Sequence, residues 1–194
     1  MTTKNQKIKL VAIVGKAGSG KDYLLNYLCN IYPDFNKIIS ATTRPMREGE
    51  QEGVNYYYLS NEEFAKQVLE DKFLEATVFN DWCYGTQLSA LNKDKLNIGV
   101  FNPTGIETLQ QDNRIDTYVV EIEATDKERL IRQLNREEDP DVNEIIRRFK
   151  TDEADFADSD FITNAYFPNF EGFPFKANVH MLMEFIKGWA KLNN

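Results

Sequence analysis

The sequence predicts an α/β fold built on a mostly parallel sheet, and three features of the chain lead there. A near-continuous apolar run, Ile8–Val14 (IKLVAIV), has the length and composition of a strand buried on both faces. A glycine-rich turn and an amphipathic stretch follow it directly, giving strand, turn and helix in that order. Strand-like and helix-like segments then alternate along most of the chain, the pattern of parallel strands joined by crossover helices.

Taken in order, Asp22–Ile31 places Tyr23, Leu24, Tyr27, Leu28 and Ile31 at helical spacing. A short apolar stretch, Lys37–Ser40, leads into the polar loop Thr42–Gly53. Ser60 opens a helix, and Glu63 three residues on completes a capping box. Lys72–Phe79 reads as a strand, with Asn80–Asp81 as the turn after it. Asn97–Phe101 and Thr117–Ile122 are two further core strands, with a helix over Thr104–Gln111 between them. Thr125 and Glu128 make a second capping box ahead of the amphipathic segment Lys127–Asn135. The charged stretch Arg136–Asn143 precedes a helix that runs to Phe156. Ile162–Thr163 is read as a last short strand and Phe167–Phe175 as a packed aromatic loop. Ala177–Leu192 is a closing helix whose apolar face is Val179, Leu182, Met183, Ile186 and Trp189.

The 194 residues suit one domain with one substantial core. No apolar run approaches the ~20 residues of a membrane helix, and MTTKNQKIKL lacks a signal-peptide core. The expectation is a cytoplasmic protein with no membrane partner. A net charge of −8 argues against nucleic acid as a partner. An anionic small molecule would instead need arginines concentrated in one place. Cys29 and Cys83 stand in no metal or redox spacing and are read as buried free thiols. The single histidine, His180, lies in the closing helix, so a histidine metal centre or a Ser-His-Asp triad is not expected. A metal, if used, would be a hard ion such as Mg²⁺ with oxygen ligands.

Gly15-Lys16-Ala17-Gly18-Ser19-Gly20-Lys21 matches the first seven positions of G-x-x-x-x-G-K-[ST]. Glycines let consecutive backbone N–H groups turn inward around phosphate oxygens, and the following helix adds its positive end. Lys21 supplies a point charge to the β- and γ-phosphates. The eighth position carries Asp22 where a Ser or Thr hydroxyl usually meets Mg²⁺. Asp22 is assigned as a metal-holding carboxylate, with an outward-pointing acid at a helix N-terminus as the other reading.

Thr42–Glu50 (TTRPMREGE) concentrates Arg44 and Arg47, whose guanidinium forks suit a phosphate dianion, with Ser40 and Tyr56 as neutral donors. At this point the sequence resembles the guanylate kinase family. Ser40–Tyr56 is similar to that family's acceptor-phosphate segment, and Phe73-Leu74-Glu75 and Tyr84-Gly85-Thr86 to its base-binding elements. The likeness is clear over Leu10–Gly85 and fainter through Arg129–Phe149 and Ile162–Asn164.

The resemblance implies a P-loop NTPase-type three-layer sandwich with inserted acceptor-binding and lid regions. The core would be residues 1–36, 95–135 and 147–194, the NMP-binding region 37–94 and the lid 136–146. It implies phosphoryl transfer from ATP, with Mg²⁺, to GMP or dGMP. Lys16–Asp22 with Gly15, and Asn164, would take ATP; Ser40, Arg44, Arg47, Tyr56 and Tyr84 the acceptor phosphate; Glu75, Thr86 and Asn102 the base. Lys21, Arg44 and the lid-side Arg132, Arg136 and Arg148 would stabilise the transferring group. Val100 and Asn102 stand where the family usually has two aspartates, and Asp22 together with Asn102 suggests one alternative, a deoxynucleoside or other nucleoside monophosphate kinase of relaxed base choice. A non-catalytic binding module is another, disfavoured because Gly20, Lys21, Arg44 and Arg47 are all intact.

Overall fold

The structure, a computed structural model, describes residues 7–79, 81–136 and 138–192. Five strands form a fully parallel sheet: β1 (Ile8–Val14), β2 (Phe35–Lys37), β7 (Leu96–Val100), β8 (Ile115–Glu123) and β9 (Ala165–Pro168), in the order β2-β7-β1-β8-β9. Both faces of central β1 are buried, as its apolar run predicts. Val11 and Ile13 pack on one side with α1 (Lys21–Ile31) and α6 (Phe175–Leu192). Leu10, Ala12 and Val14 pack on the other with α3 (Pro103–Gln111). The result is three layers. α6 contributes the expected Val179, Leu182, Met183, Ile186 and Trp189.

The capping boxes both form. Ser60 and Glu63 start α2 (Asn61–Leu69), and Thr125 and Glu128 start α4 (Asp126–Leu134). A single acceptor, Asp141, caps α5 (Val142–Ala157) through the N–H groups of Asn143 and Glu144. A second sheet projects from the first: β3 (Ala41–Thr42), β4 (Tyr57–Tyr58), β5 (Phe73–Phe79) and β6 (Trp82–Gln87), in the order β4-β3-β6-β5. Its β6 was not expected from sequence, because WCYGTQ has no apolar alternation. In the turn before it, Asn80 lies outside the described residues and Asp81 adopts φ 66.

Two assignments need correction. The short strand expected at Ile162–Thr163 forms instead at Ala165–Pro168. Ile162 is 72% exposed, and the Thr163 hydroxyl and Asn164 side chain bond to Glu121 and to the Val119 N–H, so the ladder starts only after them. The aromatic segment Phe167–Phe175 is accordingly not one loop: Phe167 is a buried strand residue, Phe175 opens α6, and 169–174 alone connect them. Pro168 is tolerated because β9 is an edge strand, where a missing N–H breaks no ladder bond. The two cysteines are free, as expected, but only half-buried.

Candidate active site

A cavity of about 390 Å³ opens beyond the carboxyl ends of β1 and β7, where open parallel sheets place their ligands. The phosphate loop forms one wall. Gly18 and Gly20 take φ 78 and φ 101, conformations that favour glycine. A β-carbon on Gly18 would also meet the Arg129 backbone oxygen at 2.6 Å. The Gly18, Gly20 and Lys21 amides donate to nothing among the described residues, which leaves them for an anion. Lys21 Nζ donates to the Gly15 and Lys16 carbonyls at 2.6 and 3.2 Å. Burial lowers its pKa, opposed by the nearby charges of Asp22 and Asp152. Asp22 is exposed at the cavity mouth, Lys16 leans over the Phe156 ring, and Ser19 Oγ is buried without a partner among the described residues.

The acceptor loop brings Arg44 and Arg47 to the same cavity with Ser40, Tyr56 and Tyr84. Arg44 is 5% exposed and held in a fork by Glu50, with Nη2 at 2.9 and 3.0 Å from the two carboxylate oxygens. Its Nη1 donates to Pro45 O, and the Tyr56 and Tyr58 rings flank it. Burial would raise the Glu50 pKa, but hydrogen bonds from Arg44, the Arg47 N–H and the Tyr58 hydroxyl outweigh it and hold the carboxyl at about 2. Arg47 forms no ion pair among the described residues. Its pKa is lowered by burial and then by the charges of Arg148, Arg44 and Arg136, so four guanidinium groups crowd one space.

The lid-side arginines divide into two kinds. The Arg136 side chain is exposed and makes no hydrogen bond or ion pair among the described residues, its backbone N–H alone donating, to Gln133 O. Arg148 is half-buried, with Nε on Glu144 at 2.8 Å. Both line the cavity. Arg132 lines it too, but its Nη groups donate to the Gly18, Ser19 and Asn169 carbonyls and brace the loop. Arg129, on the same helical face, is almost wholly buried against Ala17 and Asp152.

The far end of the cavity is built on a bulge. Strands β5 and β6 pair antiparallel, and a register shift between Phe73 and Glu75 turns two successive residues, Leu74 and Glu75, inward. Glu75 then lies directly across from Thr86. Burial drives the Glu75 pKa up to about 7, although the Thr86 hydroxyl and N–H lie near enough to favour the ionised form. The hydroxyl falls short of hydrogen-bond geometry, and Thr86 Oγ1 stays buried without a partner among the described residues. Asn102 lines the same end, but Oδ1 caps α3 through the Gly105 N–H at 2.7 Å and Nδ2 donates to Thr77 Oγ1 at 2.7 Å.

Asn164, expected beside ATP, is not in this cavity. Its side-chain oxygen accepts from the Val119 N–H, and it borders a separate hollow with Tyr118 and Phe167. Asn169, five residues on, reaches the phosphate loop instead, with Nδ2 on Ser19 O at 2.7 Å. Sequence reading also missed Asp152 and Gln133. Both line the cavity, and the Gln133 amide is buried with neither end hydrogen-bonded among the described residues. Polar residues on the inward face of an otherwise amphipathic helix were the available signal.

Comparison with known proteins agrees with this geometry. The guanylate kinase family model matches residues 7–166. A guanylate kinase of Legionella pneumophila (strain Lens) is 40% identical over 92 residues, 47% of this chain and 43% of the relative. One from Chlamydia muridarum (strain MoPn / Nigg) is 36% identical over 132 residues, 66% of this chain and 63% of the relative. The chain thus spans about half the length of the first curated relatives it matches. The crystal structure of guanylate kinase from Anaplasma phagocytophilum shares the fold at 16% identity, with TM-score 0.62 over 94% of this chain and 86% of that one. Phosphate loop, arginine-lined acceptor loop and family match converge: the chain belongs to the guanylate kinase family.

Proposed function

We propose that this protein transfers the γ-phosphoryl group of ATP to a guanine nucleoside monophosphate, GMP or dGMP. One observation carries the reading. A single cleft runs from open phosphate-loop amides, past four crowded guanidinium groups, to the buried Glu75, which pairs across the strands with Thr86. Such a concentration of positive charge in a protein of net charge −8 has its natural complement in two phosphate chains.

The loop amides and Lys21 bind the polyphosphate, and Arg47, Ser40, Tyr56 and Tyr84 hold the acceptor phosphate. Arg44 has its Nη atoms committed to Glu50 and Pro45, so it shapes the loop and offers Nε. Arg136 and Arg148 spread charge over the transferring group. No general base is needed, since the attacking phosphate oxygen is already anionic. Arg132 acts by bracing the loop and Asn169 rather than by reaching the phosphates. Residues 136–146 serve as the lid over the 37–94 acceptor region, and closure excludes water.

Glu75 accepts from the guanine N1–H and exocyclic amine, and Thr86 donates to O6. Adenine carries a lone pair at N1 and would leave Glu75 buried against it, the kind of mismatch that discriminates by ~10⁴ or more. Asn102 fixes the wall behind the base. Magnesium suits the donor set of one carboxylate, Asp22, plus substrate oxygens. Asp22 would hold the ion, which supplies charge neutralisation of the polyphosphate.

The test is ADP formation from Mg-ATP with GMP, dGMP, AMP, CMP, UMP and dTMP, with Lys21→Ala as control. Lys21-dependent turnover confined to GMP and dGMP is expected. Turnover with every base would remove the role given to Glu75, and none with any would leave a binding module.

A further inference from the structure

The peptide unit of Ala17, at the tip of the phosphate loop, is held from both sides. Its carbonyl accepts from Arg129 Nε at 2.9 Å, and its N–H donates to Asp152 Oδ2 at 2.7 Å. Arg129 Nη2 and Asp152 Oδ2 close the ring at 2.6 Å, both side chains almost wholly buried. Asp126 and the Phe149 ring, 4.3 Å from the guanidinium carbon, fix Arg129 further. Loop, α4 and α5 each contribute one member.

The arrangement sets a carboxylate on a loop whose backbone is laid out for anions. The Ser19 N–H closes an internal turn on Lys16 O at 3.1 Å, and the Gly18, Gly20 and Lys21 amides are open. The Ala17 amide is occupied, and its partner is negative. Asp152 also lines the nucleotide cleft beside Lys21. Burial raises its pKa against the pull of Ala17 N–H, Lys21 and Arg129. Holding a phosphate requires no such carboxylate. A phosphate oxygen that takes the Ala17 N–H must replace Asp152, and one that stops short must face it.

We propose that Asp152 is an internal anion that occupies the nucleotide-free phosphate loop and weakens the binding of nucleoside polyphosphates. They displace it from Ala17, while Arg129 keeps its bond to the Ala17 carbonyl. The proposal rests on the loop being the nucleotide site. Asp152→Asn isolates the charge, because asparagine keeps the shape and can still accept from Ala17 and Arg129.

Calorimetric titration of ATP and ADP into both proteins at neutral pH tests it. The Kd for each nucleotide should tighten about ten-fold in Asp152→Asn, the order expected when one partly paired charge leaves the edge of an anion site. An unchanged or weaker Kd overturns the proposal and makes Asp152 a brace only. If neither protein binds either nucleotide, the nucleotide reading of the loop fails and takes the proposal with it. Should the variant not fold, the ¹³C resonance of the wild-type Asp152 carboxylate decides. It should move on saturation with ATP, and a stationary resonance overturns displacement.

Discussion

Glu75 makes a quantitative prediction, because its carboxyl is held in two different environments by the folded and unfolded chains. Its pKa is about 7 when folded, against an ordinary value of 4.5, and burial is the cause. Below pH 4.5 both states are protonated and Glu75→Gln should leave stability unchanged. Between those values the unfolded chain releases a proton that the folded chain keeps, so wild-type stability falls as pH rises. Above pH 7 the full cost is present, about 3 kcal/mol for a shift of this size. Glutamine carries no charge and avoids it. The advantage of Glu75→Gln in urea-unfolding free energy should therefore grow from roughly 1 kcal/mol at pH 5 to about 3 kcal/mol at pH 8.

On the role proposed for Glu75, the same substitution removes the acceptor of the guanine N1–H. Wild-type protein should gain thermal stability from GMP more strongly at pH 8 than at pH 6, because the proposed contact to the base uses the ionised carboxylate. Glu75→Gln should gain little from GMP at either pH. A stability difference between the two proteins that is flat across pH would refute the reasoning, since it would show that the carboxyl is not held protonated by burial.

Two further substitutions probe neighbouring parts of the cleft. Gln133→Leu removes a buried amide with no partner at either end and should stabilise the protein by about 1–2 kcal/mol in urea unfolding. It should also weaken ATP binding several-fold by calorimetry, as Gln133 lines the cleft proposed to hold the nucleotide. Gly105→Ala would set a β-carbon 3.0 Å from Asn102 Oδ1 and 3.2 Å from Glu75 Oε2. The displaced carboxylate should lower the ratio of GMP to AMP turnover by ten-fold or more, with the KM for ATP unchanged.

What the sequence made legible was local. An apolar run of seven residues can be read as β1 without knowing its neighbours, and a capping box declares α2 and α4 because donor and acceptor lie three residues apart. The glycine loop is equally local. Contacts between distant segments were not legible. Strand β6 has no apolar period of its own and forms because β5 and β3 lie on either side of it. The bulge that turns Glu75 inward appears only once β5 and β6 are in register. Asn164 and Asn169 are both asparagines near the last strand, and their roles separate only when the ladder is seen to begin at Ala165, which leaves Asn164 on Val119 and carries Asn169 to Ser19. Arg129 and Asp152 are 23 residues apart on two helices, and nothing in either helix alone predicts their meeting on Ala17.

The same distinction explains why the site is marked by polar groups without partners. Among the described residues, buried side-chain atoms that lack a hydrogen bond belong to Ser19, Thr86, Gln133 and Thr117. Gln133 lines the cleft, Ser19 and Thr86 are next in sequence to the lining glycines Gly18, Gly20 and Gly85, and Thr117, on β8, is apart from it. Each such group costs the unliganded protein about 1–3 kcal/mol, and a ligand that supplies the missing bond recovers it. Stability and affinity should therefore move in opposite directions when one of these groups, or the protonated Glu75, is made apolar or neutral. A substitution at Gln133 or Glu75 that raised both would show that the group never met the substrate. One that lowered both would show that it was structural, satisfied by water in the free protein.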